Sequence, residues 1–308
     1  MGTIQKNLGL KHKYMAYTTA AGALAAYPKR IPSGAVAQKE LDGVGQKIGL
    51  KIQEILDTGK LKKLDQYNSD PKIVTLNLLC RVTGVGPAAA RKWIDSGVKT
   101  IEDLKKEKLN HHQEIGVKYF EDFEKRIPRS EMQEIKNIVK TSISQLDQLI
   151  TVKICGSYRR GSESSGDVDV LITHPKFTNE KKEQKDTFDL IKRIVDRLEK
   201  IKFLTDHLAN GTQQYMGVCK IPKEGAIARR IDIKLFPKES FYTALLHFTG
   251  SGEHNRQLSC IAINKGFKLS EFSITPVGST GVEGAPIPVQ SEKEIYDILG
   301  IPFRKPSE

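Results

Sequence analysis

Apolar and polar residues alternate with a period of two in three segments of the second half of the chain, which predicts β-strands. These segments are residues 151–155, the stretch SSGDVDVLITH and the stretch RRIDIKLF. Residues i and i+2 of a strand point to the same face of the sheet. Asp167 and Asp169 therefore project together. Val168 and Val170 face the core on the opposite side.

Helical patterns fill most of the remaining chain. IQKNLGLKHKYM and AYTTAAGALAAYP predict two N-terminal helices, the second ending before Pro28. Ser130 and Gln133 have the spacing of a capping box and would open an amphipathic helix. Its inward positions are Met132, Ile135, Ile138 and Leu146. A further helix is expected around Phe188, Ile191, Val195 and Leu198, and two more near residues 242–248 and 253–264.

A short motif occurs twice within the first hundred residues. LDGVG at residues 41–45 returns as VTGVG at residues 82–86, and a helical stretch follows each copy, through Leu56 and Ile94 respectively. Gly-x-Gly between two helices resembles the helix-hairpin-helix, which offers backbone groups to a DNA phosphate. An ordinary helix turn is the alternative for one copy, but two copies in a basic region favour DNA binding. The four candidate contacts are Gly43, Gly45, Gly84 and Gly86.

Composition supports a globular protein with an anionic partner. The chain has 308 residues, 38% hydrophobic and 28% charged, which predicts about two domains and a substantial core. A net charge of +12 favours a polyanion. The four cysteines have no C-x-x-C spacing, so we expect neither zinc nor a disulfide framework. No apolar run has the length of a membrane span, and no signal peptide is expected.

The strongest chemical signal is a set of three carboxylates, Asp167, Asp169 and Asp232. A second strand beside the first could bring Asp232 onto the same face. Carboxylates about 4 Å apart repel by roughly 4 kcal/mol per pair, so such a cluster is stable mainly where divalent cations neutralise it. Oxygen ligands suit Mg²⁺. Solvated strand charges, or partners of nearby arginines, are the alternative interpretation.

The residues that precede the carboxylates favour the metal site. In CGSYRRG, a predicted strand ends in Gly156 and Ser157, and after nine further residues Asp167 opens the next strand. Gly156 allows close backbone approach, and Ser157 with nearby amides could hold a phosphate at a helix start. Arg160 adds a charged fork suited to phosphate oxygens. Gly-Ser followed by Asp-x-Asp is the nucleotidyltransferase pattern.

Several longer stretches resemble the family X DNA polymerases, in particular those of the polymerase beta type. They include GSYRRGSESSGDVDVLITHP, RRIDIKLFPK, HFTGSGEHN, LNHHQEIGVKYFEDFEKRIPR and SEKEIYDILGIPFRKP. The resemblance implies an α+β fold in four parts. These are a helical lyase domain with a helix-hairpin-helix (1–67), a helical DNA-binding subdomain with a second one (68–128), a nucleotidyltransferase palm (129–238) and a C-terminal α/β subdomain that binds the nascent base pair (239–308).

The resemblance also implies a polymerase site. Asp167, Asp169 and Asp232 would bind two Mg²⁺ ions, for which Mn²⁺ can substitute, and catalyse transfer of a deoxynucleotide to a primer. Arg230 would contact DNA near the primer terminus. The implied nucleotide ligands are Arg129, Ser157, Arg160, Ser165, Gly166, Phe248, Gly250 and Asn255. The sequence departs from the vertebrate pattern at Gln214, Lys234, His247, Gly252 and Ser259. His247 could equally contact the nucleotide or be an ordinary helix residue.

A second activity is implied near the first hairpin. Lys47 and Lys51 lie at i and i+4, so each ammonium disfavours the other's charge and favours a neutral amine. By resemblance, Lys51 is the Schiff-base lysine of a 5′-deoxyribose phosphate lyase, although Leu50 replaces the usual acidic neighbour. The implied phosphate pocket is His12, Lys13, Tyr17, Lys39, Lys47 and Lys63. The apolar stripe expected on the same helix is Ile48, Ile52, Ile55 and Leu56.

The resemblance suggests partners and ions as well. Gapped or nicked DNA, deoxynucleoside triphosphates and other base excision repair proteins are the expected partners of a monomer. Na⁺ or K⁺ would bind backbone carbonyls of the two hairpins, those of Lys39, Leu41, Val44, Cys80, Val82 and Val85. We expect a nuclear protein; an N-terminal stretch without acidic residues before Glu40 keeps mitochondrial import as the alternative. A template-independent terminal transferase and a non-catalytic DNA-binding protein are the alternative functions.

Overall fold

The computed structural model describes residues 1–180 and 189–308, and the predicted helix position Phe188 lies outside them. The chain divides into two compact units, residues 1–120 and 121–308. The first is helical and the second combines a sheet with helices, so the α+β prediction is confirmed. The finer four-part division stays a prediction.

The first unit is built from short helices. They are α1 (Gly2–Asn7), α2 (Lys11–Ala26), α3 (Gly34–Glu40), α4 (Gln46–Thr58), α5 (Lys62–Ser69), α6 (Pro71–Leu79), α7 (Pro87–Asp95), α8 (Ile101–Leu104) and α9 (His111–Lys118), with α10 (Phe120–Glu124) at the boundary. The single helix predicted for IQKNLGLKHKYM is wrong. Gly9, at a φ of 75°, separates α1 from α2, and α2 then runs on through the segment predicted as a separate helix.

Both Gly-x-Gly repeats form a tight turn between two helices, as predicted for a helix-hairpin-helix. The turn between α3 and α4 closes with the amide of Val44 donating to the carbonyl of Leu41, at 3.2 Å. The turn between α6 and α7 repeats this bond from Val85 to Val82, at 3.0 Å. Gly43 and its counterpart in the second turn have φ values of 80° and 83°, which favour glycine.

The second unit contains a five-stranded sheet with the order β2-β4-β7-β6-β5. Strands β4 and β7 pair in parallel, and the other neighbours are antiparallel. A small two-stranded ladder joins β1 to β3. The strands are β1 (Ile127–Pro128), β2 (Thr151–Ile154), β3 (Ser164–Ser165), β4 (Val168–Thr173), β5 (Leu204–Asn210), β6 (Gln214–Cys219) and β7 (Arg229–Leu235).

Two helices, α11 (Arg129–Ser144) and α13 (Leu190–Lys200), cover one face of this sheet. Met132 and Ile135 are buried as predicted, and Ile138 and Leu146 pack at the edge of the core. The predicted capping box is wrong, because α11 begins at Arg129 and, among the described residues, no side chain caps it. The Arg129 amide donates instead to the carbonyl of Glu163, at 3.0 Å. Gln133 is therefore free to accept from the Tyr158 hydroxyl, at 2.6 Å.

The C-terminal part packs against the opposite face of β4. Leu171 of β4 lies in a cluster with Phe241, Ala244 and Leu245 of α14 (Phe241–Thr249). The remaining elements are α12 (Gly156–Arg159), α15 (Gly252–Asn264), β8 (Phe267–Leu269), β9 (Ile274–Pro276) and α16 (Glu292–Ile298). In the described ranges, none of the helices has the length and apolar character needed to cross a membrane.

Candidate active site

Strand register brings two of the three predicted carboxylates side by side. Asp169 of β4 pairs directly with Asp232 of β7 in the parallel ladder. Asp167 immediately precedes β4, two residues before Asp169 and therefore on the same side of the chain. Val168 and Val170 are buried in the helix-covered core on the other side, as the alternation predicted.

Burial and neighbouring negative charge make Asp169 and Asp232 difficult to ionise without a cation. Loss of solvent, followed by the charges of Asp167 and Asp232, raises the pKa of Asp169 from 3.8 to about 6. Burial also raises the pKa of Asp232, although the Arg230 guanidinium opposes that shift. One buried oxygen of Asp232, Oδ1, has no hydrogen-bond partner among the described residues. A buried acceptor without a partner is costly, so this oxygen is suited to a ligand.

The Arg230 guanidinium partly neutralises the carboxylates, as a bound metal cation would. Its Nη2 lies 3.0 Å from Oδ2 of Asp167, and both side chains are about one-third exposed. In residues 1–180 and 189–308 the carboxylates are not drawn together into a closed metal-binding cluster. The donor set still fits a hard divalent ion, since it combines an unpartnered buried oxygen with mutually repelling carboxylates.

Gly156 is required by its distance from Asp169 and by its backbone conformation. Its φ is 57°, and a Cβ atom there would lie 2.3 Å from Oδ2 of Asp169. The amide of Cys155 donates to the Asp169 carbonyl at 2.8 Å, which fixes the end of β2 beside β4. The sequence predicted close approach of Gly156 to a ligand; in the fold, its neighbour is the carboxylate itself.

A cavity of about 510 Å³ opens in front of Asp167 and Asp169. Most of the predicted nucleotide ligands line it, namely Ser157, Arg160, Gly166, Phe248, Gly250 and Asn255. A bigger cavity of about 1160 Å³ lies between the start of β2 and residues 286–293, and other side chains line it. The smaller cavity is the candidate site because it contains the clustered carboxylates.

Hydrogen bonds fix the wall of this cavity that α14 and α15 provide. Arg160 donates from Nη1 to the carbonyl of Thr249, at 2.7 Å. Asn255 donates from Nδ2 to the carbonyl of His247, at 2.8 Å. The Lys234 ammonium lies 4.0 Å from the centre of the Phe248 ring. These contacts tie the cavity wall to the strands that carry the carboxylates.

Three predicted contacts lie beside this cavity instead of lining it. Arg129 donates to the carbonyls of Tyr158 and Ser162, both at 3.1 Å, and so supports the loop behind the cavity. Buried Ser165 accepts from the Ser157 hydroxyl at 3.0 Å. Arg230 pairs with Asp167, as described above. Their positions support the site from outside the cavity.

Sequence reasoning missed several lining residues. They are Arg126, Ser162 and Ser251; Thr249, between the predicted Phe248 and Gly250, also lines the cavity, as do His247 and Gly252, two of the departures from the vertebrate pattern. Arg126 precedes the predicted palm, and only the β1–β3 ladder brings it near, with its guanidinium donating to the Ser164 carbonyl at 2.5 Å. A signal existed in RIPR, where two arginines flank a short extended segment.

The predicted lyase residues lie in the first unit on α2 to α5. Lys51 is half-buried on α4, and its Nζ donates to the carbonyl of Lys47, at 2.8 Å. Ile48 and Ile52 pack into the small core of α2–α4, as predicted. Ile55 and Leu56 are exposed, which contradicts the predicted stripe, because the last turn of α4 extends beyond that core.

Tyr17 and Lys63 are neighbours in this unit. Burial, followed by the nearby Tyr67 phenol, raises the pKa of Tyr17, and the Lys63 charge opposes that shift. The Lys63 ammonium also lies 5.2 Å from the centre of the Tyr67 ring. The other predicted pocket residues, all exposed, are His12, Lys13, Lys39 and Lys47.

The hairpin turns leave backbone accessible. Gly45 and Gly86 precede the first turns of α4 and α7, and a Cβ atom at either would meet no described atom within 4 Å. The carbonyls of Leu41 and Val82 already accept the turn bonds. Cation binding by these carbonyls, and by those of Lys39, Val44, Cys80 and Val85, stays a prediction.

Four family descriptions match the chain in consecutive order. They are a helix-hairpin-helix domain at residues 1–61, the fingers domain of DNA polymerase lambda at 77–124, the DNA polymerase beta palm at 126–238 and the DNA polymerase beta thumb at 244–308. The chain belongs to the family X DNA polymerases. The palm match contains all three aspartates, and the thumb match contains the α14–α15 wall of the cavity.

Whole-chain similarity agrees with this family X assignment. The chain is 35% identical over 323 aligned positions to DNA polymerase lambda of Arabidopsis thaliana, covering 99% of this chain and 59% of that protein. It is 36% identical to DNA polymerase lambda of Rattus norvegicus, and the alignment covers 97% of this chain and 53% of that protein. The DNA polymerase type-X family protein pol4 of Schizosaccharomyces pombe is 28% identical, and the alignment covers 94% of this chain and 59% of that protein. The chain thus spans little more than half the length of these relatives.

Proposed function

We propose that this chain is a DNA-directed DNA polymerase that fills short gaps during base excision repair. The observation that carries the proposal is the direct pairing of Asp169 with Asp232 on parallel strands, beside a cavity that also contains Asp167. Gapped or nicked DNA and deoxynucleoside triphosphates are its proposed partners. We propose that it acts as a monomer in the nucleus.

The three carboxylates would hold two divalent ions, Mg²⁺ or in its place Mn²⁺. Bound there, the ions would lower the pKa of the attacking hydroxyl and neutralise negative charge on the triphosphate. Family X polymerases generally use divalent metal ions, which agrees with this donor set. Arg230 would leave Asp167 and turn toward the primer terminus.

The side chains define the reaction path around the α-phosphorus. The primer 3′-oxygen forms a bond to the α-phosphorus of the incoming nucleotide, and the bond from that phosphorus to the pyrophosphate oxygen breaks. Asp232, one of whose oxygens is unpartnered, would accept the proton from the 3′-hydroxyl. Ser157, Arg160 and Gly166 would hold the triphosphate oxygens.

The opposite wall of the cavity would position the nucleoside. Phe248 and the backbone at Gly250 face the region where the sugar would lie, and a ribose 2′-hydroxyl would be crowded there. Asn255 is held by the His247 carbonyl and would approach the base. Selection of deoxynucleotides follows from this steric argument.

The test is extension of a primer on a one-nucleotide gapped duplex, with and without Mg²⁺. Asp232→Asn keeps the shape of the side chain but removes its charge, so kcat should fall by about 10³-fold, the loss of roughly 4 kcal/mol of transition-state stabilisation. Asp206→Asn, on strand β5 away from the cavity, is the control and should retain activity. An Asp232→Asn protein with undiminished gap filling would exclude the proposed site.

We also infer a 5′-deoxyribose phosphate lyase in the first unit, with Lys51 as the nucleophile. Its amine donates to the α4 backbone at the carbonyl of Lys47, and Tyr17 and Lys63 lie in the same unit as candidate phosphate contacts. The neutral amine would attack the sugar aldehyde, lose water to form an imine and release the 5′-phosphate by β-elimination. Borohydride trapping of the imine on incised abasic DNA measures this activity.

A further inference from the structure

Another concave site in the 121–308 unit is strongly basic and lies outside the proposed active site. It is a hollow of about 280 Å³ between α11, β2 and α12, and we refer to it as the basic hollow. Its lining residues are Arg129, Lys136, Lys140, Val152, Lys153, Ile154, Tyr158 and Arg159. Five of these eight side chains are cationic and none is acidic, so the hollow has a positive potential.

The charges of the basic hollow are only partly compensated. Arg159 forms a two-pronged ion pair with Glu292, at 2.6 and 2.8 Å. Arg129 donates to backbone carbonyls, which carry no net charge. Across residues 1–180 and 189–308, no carboxylate pairs with any of the three lysines of the hollow, Lys136, Lys140 and Lys153.

The Tyr158 ring contributes to the position of these cations. It is buried, and the Lys136 ammonium lies 5.7 Å from its centre while the Arg129 guanidinium lies 4.7 Å from it. A cation near an aromatic face is attracted by the ring's quadrupole. Lys136 of α11 is therefore directed into the hollow.

One side of the basic hollow is an open strand edge. Strand β2 is at the end of the sheet order and pairs only with β4. Because the Cys155 amide donates toward β4, alternation along the strand directs the backbone groups of Val152 and Ile154 to the outside. Both residues line the hollow. Their outward amides and carbonyls can accept another strand.

The other end of the sheet differs from this edge. Strand β5 carries two register shifts, between Leu204 and Asp206 and between His207 and Ala209. Bulges of this kind disrupt the regular spacing that a further strand needs. Strand β2 pairs with β4 in continuous register from Thr151 to Ile154 and shows no such protection.

We propose that the basic hollow and the β2 edge together bind an extended, acidic segment of a partner protein. The segment would pair with the backbone of Val152 and Ile154, and its carboxylates would contact Lys136, Lys140 and Lys153. A second copy of this chain does not fit, because edge-to-edge pairing would place lysine against lysine. A DNA strand has the required charge but lacks the alternating amides that a strand edge pairs with.

Binding of a designed peptide to the whole chain tests the proposal. The probe is a fluorescein-labelled decapeptide of alternating glutamate and valine, measured by fluorescence anisotropy. Replacing Lys136, Lys140 and Lys153 together by glutamine should weaken binding by about tenfold or more. The matched control makes the same charge change on α13, with Lys192, Arg193 and Lys200 replaced by glutamine, and should change affinity less than about twofold. Gap filling should be unchanged in both variants.

A second measurement distinguishes strand pairing from simple charge attraction. Peptide binding should slow hydrogen exchange at the amides of Val152 and Ile154 in the wild-type chain. Unchanged exchange there, or equal loss of affinity in the α13 control, would overturn the proposal. Displacement of the peptide by an equal concentration of pyrophosphate would reassign the hollow as a small-anion site. Displacement by single-stranded DNA, with loss of DNA affinity in the lysine variant, would reassign it to nucleic acid.

Discussion

The two proposed chemical sites of this chain are held by their folds to very different degrees. Asp169 and Asp232 are fixed by a strand ladder, and burial raises the pKa of both carboxyls. Lys51 projects from one helix, and its amine bonds to the backbone of that same helix. A sheet fixes side chains from distant segments with a precision that a single helix surface does not provide. The polymerase site should therefore be intolerant of small displacements, and the lyase site more tolerant.

Among changes that displace a site without removing one of its charged groups, the largest effect is expected where the backbone meets a carboxylate. Gly156→Ala places a Cβ atom 2.3 Å from Oδ2 of Asp169, so the carboxylate must move. A displacement of about 1 Å near the reacting atoms costs roughly a hundredfold in rate, and gap filling should fall accordingly. Single-turnover kinetics on a gapped duplex measure it.

Gly161→Ala is the matched control for that experiment. Gly161 also has a positive φ, 85°, so both variants carry similar backbone strain. A Cβ atom at Gly161 would be 3.6 Å from the nearest described side chain, an ordinary contact. Equal activity losses in the two variants would show that strain, and not the carboxylate position, is responsible.

An intermediate effect is expected on stability and its pH dependence. The pKa of Asp169 is about 6 in the folded protein against 3.8 ordinarily, so the folded state binds this proton more tightly than the unfolded state. Its contribution to stability therefore declines as pH rises from about 4 to 6 and stays low above. Asp169→Asn should then stabilise the metal-free protein at pH 8 by about 2 kcal/mol, discounted for partial exposure, and have little effect near pH 4.

Urea unfolding in EDTA at the two pH values measures this difference. Asp196→Asn, at an exposed position of α13, is the control and should shift stability little at either pH. Added Mg²⁺ should stabilise the wild type more than Asp169→Asn, because a bound ion relieves the repulsion. A destabilised Asp169→Asn protein at pH 8 would contradict the repulsion argument.

Local patterns predicted the strands of the proposed polymerase site well, because alternation at Val168 and Val170 directly reflects which face is buried. The Asp-x-Asp spacing also fixed the orientation of Asp167 and Asp169 from sequence. The parallel pairing of Asp169 with Asp232 joins segments that are far apart in the chain. The sequence motifs indicated that these strands could be neighbours, but they did not determine the pairing.

Errors arose where tertiary contacts replaced local ones. The capping box at Ser130 failed because the Glu163 carbonyl accepts the first amide of α11. The position of Arg126 at the cavity depends on the β1–β3 ladder. Each of these strands has only two residues, too few for an alternating pattern to predict a strand. Ile55 and Leu56 follow the helical period of α4 but extend past its neighbours.

The smallest effect on activity is expected for substitutions at the proposed lyase site. These substitutions also distinguish the lyase site from the carboxylate site. Lys51→Ala should reduce borohydride trapping on incised abasic DNA by about tenfold, with residual imine formed by other amines nearby. Lys47→Ala, one turn earlier on the same helix, should retain most of the trapping, because it is the backbone carbonyl of Lys47 that Lys51 contacts. Gap filling should be unaffected in both variants, since the carboxylate site is built from other elements. If Lys47→Ala lost more trapping than Lys51→Ala, the lyase nucleophile would be Lys47 and not Lys51. The proposed chemistry of the carboxylate site on β4 and β7 would not be affected by that result.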